Sequence, residues 1–178
     1  WDHPLIGQQT AAVDVTPEAF GREIAPARTF GFAHEVEALR GKGLLQGATQ
    51  EMAVVLGDER PHPVDSPAND AVRERLVRIL TDMGYAPETR DDFGCRLAAR
   101  WRAVSCARVK NIIAVAGPRR GLAVMLAAHY DSVAAGPGAS DDGAGLAVLL
   151  EIAQWMVDRA PARPVIFLIT DGEEQGLL

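Results

Sequence analysis

Apolar residues in the second half of the chain recur in two rhythms. Val72, Leu76, Ile79, Leu80 and Met83 fall at helical spacing and make one apolar face. Ser66 suits the capping position before them, Pro67 the first helical position, and Gly84 the end. A second helix is predicted over residues 145–157, where Leu146, Leu149, Leu150, Ala153 and Val157 share a face. The other rhythm is short and unbroken. Residues 111–116, 122–128 and Val165–Thr170 read as buried strands, the middle one covered on both faces. Residues 90–93 and 101–107 read as strands of a hairpin-like excursion. The order strand, strand, loop, helix, strand predicts an α/β fold, a mixed and largely parallel sheet with flanking helices.

The first third has a different texture. Residues 11–15 lean towards strand, and Thr16-Pro17-Glu18 is a good helix start for a segment running to about residue 25. Residues 34–42 predict a second short helix ended by Gly43, and residues 52–56 a strand. Residues 57–63 are polar and proline-rich, a natural boundary. Residues 1–59 carry 4 basic against 9 acidic side chains, and the rest carries 14 against 15. Two segments are therefore expected, 1–59 as a small α/β piece and 60–178 as an α/β domain.

Composition narrows the function. A net charge of −6 argues against nucleic-acid or anionic-membrane partners. No apolar run approaches the roughly 20 residues of a membrane span. The opening Trp-Asp-His-Pro has no signal-peptide pattern, and both ends read as cut points. Cys95 and Cys106 lack zinc-ligand spacing; two free thiols are favoured over a disulfide, and the compartment stays open. Oligomeric state is not encoded in any of these features.

Candidate chemistry sits at the ends of apolar runs. His129 and Asp131 follow one expected strand, Asp171, Glu173 and Glu174 another, and Asp141-Asp142 lie at the mouth of the intervening helix. Two parallel strands joined by a crossover have their carboxyl ends on one edge, where ligands gather in open α/β sheets. An imidazole and several carboxylates suit zinc. Asp131, two residues beyond His129, can accept from its second ring nitrogen and fix the tautomer. Asp141 can bridge two cations about 3.5–4 Å apart. Adjacent Glu173 and Glu174 diverge, one for metal and one for a water as general base. Asp141-Asp142 also suit plain helix capping. His3, His34 and His62 read as surface or packing residues.

The segments Ala128-His129-Tyr130-Asp131-Ser132, Pro137-Gly138-Ala139-Ser140-Asp141-Asp142-Gly143-Ala144-Gly145 and Thr170-Asp171-Gly172-Glu173-Glu174-Gln175-Gly176-Leu177 resemble the M28 family of zinc aminopeptidases. Arg60-Pro61-His62-Pro63-Val64 and Ser66-Pro67-Ala68-Asn69 resemble its membrane-associated branch. The resemblance covers residues 60–178, the first half of that catalytic domain. It implies that His129 binds one of two zinc ions, Asp141 bridges both and Glu174 binds the second. Glu173 would be general base and Asp131 would orient His129. It implies cleavage of an amino-terminal residue from a peptide substrate, and an extracytoplasmic or membrane-associated location. The same motifs occur in family members that cyclise glutaminyl termini. Gly is usual in the family where Asp65 stands, and Ser where Ala144 stands. Each zinc in the family takes one more ligand, an Asp and a His, beyond Glu174. The resemblance therefore gives this chain two of three ligands per ion and implies weak or no dizinc binding and negligible peptidase activity for these 178 residues.

Residues 1–57 are similar to an internal segment of the UDP-3-O-acyl-N-acetylglucosamine deacetylase of lipid A synthesis. Trp1-Asp2-His3-Pro4-Leu5-Ile6-Gly7, the run 23–32 containing Arg28-Thr29-Phe30-Gly31-Phe32, and Val36-Glu37-Ala38-Leu39-Arg40 carry the likeness. It implies that Thr29 and Phe30 lie along an acyl-substrate passage, and a cytoplasmic location. That family's zinc ligands lie outside the segment. The alternatives to a peptidase are therefore this deacetylase, or a non-catalytic mosaic of two ancestries.

Overall fold

The computed structural model describes residues 53–57, 60–98 and 103–178. The expected elements at residues 11–15, 16–25 and 34–43, with Thr29, Phe30, His3 and His34, lie outside the described residues. Residues 53–56 are helical rather than extended. The run is too short for periodicity to tell strand from helix. Its turn closes through the Gly57 amide donating to the Ala53 carbonyl at 3.0 Å.

Helix α1 spans Pro67–Asp82 and starts as its sequence dictates, with Ser66 Oγ accepting from the Asn69 amide at 3.1 Å. Val72, Leu76 and Leu80 are buried, and Ile79 and Met83 pack at the margin of the same core. Arg75 of α1 donates through Nε to the Val55 carbonyl at 2.7 Å, tying the helical turn to the helix.

Strand β1 (Glu88–Ala98) and strand β2 (Ala103–Ala116) form a long antiparallel hairpin. From residue 103 on, the two runs expected at 101–107 and 111–116 are thus one strand. The intervening residues continue the ladder because a two-stranded ribbon needs no unbroken apolar run. Strand β3 (Val124–His129), helix α2 (Gly143–Val157) and strand β4 (Val165–Thr170) complete a four-stranded sheet in the order β1-β2-β4-β3. The pair β3–β4 is parallel, while β4 meets β2 antiparallel.

Alternate positions define the core. Ile112, Ala114, Ala116, Val165, Phe167, Ile169 and Ala128 are buried with the apolar faces of both helices. Phe167, fully buried, meets Tyr85 edge-on with ring centroids 5.6 Å apart. Strand β3 departs from expectation: among the described residues it lies at the sheet edge, and Val124 and Met125 are exposed rather than covered on both faces. A continuous apolar run cannot by itself distinguish an edge strand from a central one.

Cys95 and Cys106 are disulfide-bonded, not free. They stand directly opposite each other in the β1–β2 register. Opposition is a property of the hairpin register, which a sequence separation of 11 does not reveal. Among the described residues, no helix is long and apolar enough to cross a membrane.

Candidate metal and catalytic centre

The parallel pairing sets His129 beside Thr170, so the segments leaving β3 and β4 emerge together. The Tyr130 amide donates to the Thr170 carbonyl at 2.9 Å and keeps them together one residue further. Beyond this point each segment ends in carboxylates.

Asp131 is 1% exposed and bonds across to the other segment. Its Oδ1 accepts from the Glu173 amide and its Oδ2 from the Glu174 amide, both at 3.0 Å. Both carboxylate oxygens are thus engaged by backbone. The His129 Nδ1–H donates to the Asp131 carbonyl at 3.0 Å, with Asp131 Oδ1 further away at 3.5 Å. The residue expected to fix the ring does so mainly through its main chain, and its side chain fixes the Glu173-Glu174 turn.

Asp171 is a second buried carboxylate. Oδ1 accepts from Asn69 Nδ2 and from the Gly172 amide, both at 3.0 Å, and Oδ2 accepts from the Lys110 amide at 3.1 Å. The Tyr130 hydroxyl lies 3.0 Å from the same Oδ2. Burial raises the Asp171 pKa above the ordinary aspartate value, and the hydrogen bonds from Lys110, Asn69 and Tyr130 offset only part of that. Burial likewise raises the Tyr130 hydroxyl, with the Asp171 charge adding to it. Glycine follows Asp171 for two reasons: φ at Gly172 is +74°, and a Cβ there would sit 2.7 Å from Val109 Cγ1.

The Asp141-Asp142 pair divides its labour across a cis peptide bond. Asp142 caps α2, its Oδ1 accepting from the Gly145 amide at 3.1 Å and its Oδ2 from the His129 amide at 3.3 Å. Asp141, with its side chain 81% exposed, places Oδ1 3.1 Å from His129 Nε2. Glu173 Oε2 lies 3.9 Å from the same nitrogen. Burial alone lowers the His129 pKa. The Asp141 hydrogen bond, the Asp131 carbonyl and the charges of Asp131 and Asp142 outweigh it, and the imidazole titrates above its ordinary value. Glu174 is also raised, by burial and then by the neighbouring Asp141 charge.

Nε2 of His129 and Oδ1 of Asp141 suit zinc in kind. Two ligands each about 2.0–2.1 Å from a tetrahedral zinc sit roughly 3.3 Å apart, close to the pair's separation. In number they fall short: among the described residues no group of three or more His, Cys, Asp or Glu side chains is arranged to hold a metal ion.

The sequence reading missed the residues that hold the site in place. Asn69, Asn111 and Lys110 reach it from α1 and β2; Asn111 Oδ1 accepts from the Asp171 amide at 2.8 Å. His62, 2% exposed, is structural as expected: its amide donates to Ser132 Oγ at 2.8 Å, and its carbonyl accepts from the Ser132 amide at 3.2 Å. Asn69 follows the Ser66-Pro67 start by three residues, and a polar residue within the first turn of an otherwise amphipathic helix was the one available signal.

Solved structures bear out the fold. A Zn-dependent exopeptidase from Parabacteroides distasonis superposes with a TM-score of 0.56 at 23% identity, over 74% of this chain and 46% of that one. A glutaminyl cyclase from Macrostomum lignano gives 0.60 at 23%, over 85% and 44%.

Sequence comparison separates two kinships. Residues 111–178 match Peptidase family M28, and residues 1–87 match UDP-3-O-acyl N-acetylglycosamine deacetylase. The vacuolar membrane protease of Coprinopsis cinerea is 35% identical over 133 residues, 66% of this chain and 13% of that protein. The UDP-3-O-acyl-N-acetylglucosamine deacetylase of Nitratidesulfovibrio vulgaris is 49% identical over 84 residues, 46% of this chain and 27% of that protein. The chain thus spans about a quarter of one relative and about an eighth of the other. Both resemblances read from the sequence stand. The deacetylase likeness runs on through α1, to residue 87.

Proposed function

We propose that residues 60–178 form the first half of an M28-type zinc exopeptidase domain acting on peptide amino termini, preceded by a deacetylase-like segment, 1–59. The observation that carries this is the convergence of His129 Nε2, Asp141 and Glu173 at one strand-end edge, with the Glu173-Glu174 turn fixed by Asp131. Although the deacetylase likeness reaches residue 87, residues 60–82 are bonded into the site. His62 holds Ser132, and Asn69 holds Asp171. That favours a functional boundary near residue 59.

In this reading His129, Asp141 and Glu174 would be the residues that hold the zinc, with Asp141 shared between two ions. Zinc would supply a polarised water and stabilise developing negative charge. Glu173, beside His129 and open to solvent, takes the proton from the attacking water and passes it to the departing amine. Asp131 keeps the His129 ring and the Glu173-Glu174 turn in register. With two protein ligands per ion, the 178 residues alone hold zinc weakly or not at all and have negligible turnover. The disulfide favours an oxidising, extracytoplasmic compartment.

The test is zinc titration by calorimetry beside hydrolysis of an aminoacyl-anilide. Weak zinc binding that is lost in His129→Ala and Asp141→Asn is expected, with background turnover. Zinc binding indifferent to both substitutions would overturn the site. Zinc-dependent turnover abolished by Glu173→Gln would overturn the inactivity. Deacylation of a UDP-sugar substrate would favour the deacetylase alternative. No activity together with no site-dependent zinc binding would favour the mosaic.

A further inference from the structure

The Glu173-Glu174 turn is held from two sides, and only one side belongs to the site described above. On the far side stands the outer half of the β1–β2 hairpin. Strand β2 is paired to β4 only over Ile112–Ala116, so from residue 111 back to residue 103 it is paired to β1 alone. This stretch is a two-stranded ribbon. On the face that carries the disulfide, Phe93, Leu97 and Val104 are exposed, while Ala107 and Val109 are buried on the opposite face, which meets the turn. A two-stranded ribbon is marginally stable by itself.

Yet this ribbon carries contacts to the turn. Arg96 Nη1 donates to the Gly176 carbonyl, and Ser105 Oγ donates to Gln175 Oε1 at 3.2 Å. Gly94 passes so close to Leu178 that a Cβ would lie 3.2 Å from its carbonyl carbon. Arg96 and Ser105 are directly opposed in the ladder and so point to one face. Cys95 and Cys106, the next opposed pair, point to the other face, where both are exposed. The disulfide therefore crosses the ribbon directly behind the two side chains that touch the turn.

We propose that the Cys95–Cys106 disulfide is a clamp that positions the Glu173-Glu174 turn through Arg96 and Ser105. Arg96 and Ser105 are positioning residues, and the disulfide reinforces the spacing of their strands where β4 no longer pairs with β2. The turn is then set by Asp131 at its start and by the ribbon at its end. Its importance for catalysis rests on the function proposed above; its mechanical role does not.

Hydrogen exchange on the oxidised 178-residue chain, without metal, tests the clamp independently of any peptidase activity. The amides of Gly176 and Leu177 donate to the Glu173 carbonyl, and that of Leu178 to the Gly172 carbonyl, so their protection reports the turn. An added dithiol breaks the S–S bond by supplying two electrons and two protons and becomes a cyclic disulfide itself, leaving Cys95 and Cys106 as thiols. Protection at residues 176–178 should then fall by about 10-fold or more and return on reoxidation, with α1 unchanged. The Cys95→Ala/Cys106→Ala protein should match the reduced state. In the oxidised protein, Arg96→Ala with Ser105→Ala should loosen the same amides, and Arg96→Lys should restore part of the protection. Unchanged exchange at residues 176–178 in protein whose mass shows two added hydrogens would overturn the clamp. So would loss of protection spread equally through α1, which would make the disulfide a general staple.

Discussion

The strand-end edge holds two sets of carboxylates that the sequence presents alike. Asp131 and Asp171 are buried, and their oxygens are engaged by backbone amides and by Asn69 and Tyr130. Asp141, Glu173 and Glu174 stand at the rim, Asp141 most exposed of the three. The first set shapes the edge, and the second keeps its contact with water. Asp142 belongs with the first, since it caps α2 and receives the His129 amide. The contrast explains how a site can be rich in negative charge and still fold: the carboxylates that lose water are the ones given donors.

The largest expected effect breaks the buried set. Asp171→Ala removes the acceptor from Asn69 and from the Lys110 and Gly172 amides at once, while Tyr130 keeps the Lys110 carbonyl, and should cost about 3 kcal/mol or more in denaturant unfolding. The same residue gives a pH signature. Its folded pKa is raised above its unfolded one, so its contribution is fully present below the ordinary aspartate value. It is lost as pH rises through the folded pKa. Unfolding measured against pH should show that decline in the wild type and not in Asp171→Ala. Asp131→Ala should come next, at about 2 kcal/mol, because the Glu173 and Glu174 amides lose their acceptor. If either substitution proved neutral, the division between the two sets would fail.

Smaller effects sharpen it. Asp65 has φ +62°, a conformation that favours glycine, and glycine is what the resembling family carries there. Asp65→Gly should raise the thermal midpoint, by at most about 1 kcal/mol in stability. Asp141→Asn should change stability least, within about 0.5 kcal/mol, since its side chain is exposed. A loss comparable to that of Asp131→Ala would move Asp141 into the structural set.

Much of this organisation was legible from local chemistry. The Ser66 cap, the buried face of α1, the span of β4 and the placing of His129 and Asp171 at strand ends all follow from spacing within a few residues. What escaped depended on distant partners. The runs either side of residue 108 gave no sign of being one strand, since β1 supplies their ladder. The pairing of Cys95 with Cys106 needed the hairpin register. Asp131 looked like a partner for an imidazole two residues away, yet its carboxylate serves amides more than 40 residues on.

The sequence alone determined which residue types stand at the strand-end edge: an imidazole and a row of carboxylates, each placed by the end of an apolar run. Tertiary structure decided their roles. Local pattern encodes where a side chain leaves its element. Whether its charge keeps water or is buried against donors depends on what other segments bring. Here Asn69 from α1, Lys110 from β2 and the amides after β4 made Asp131 and Asp171 scaffold and left Asp141, Glu173 and Glu174 at the rim.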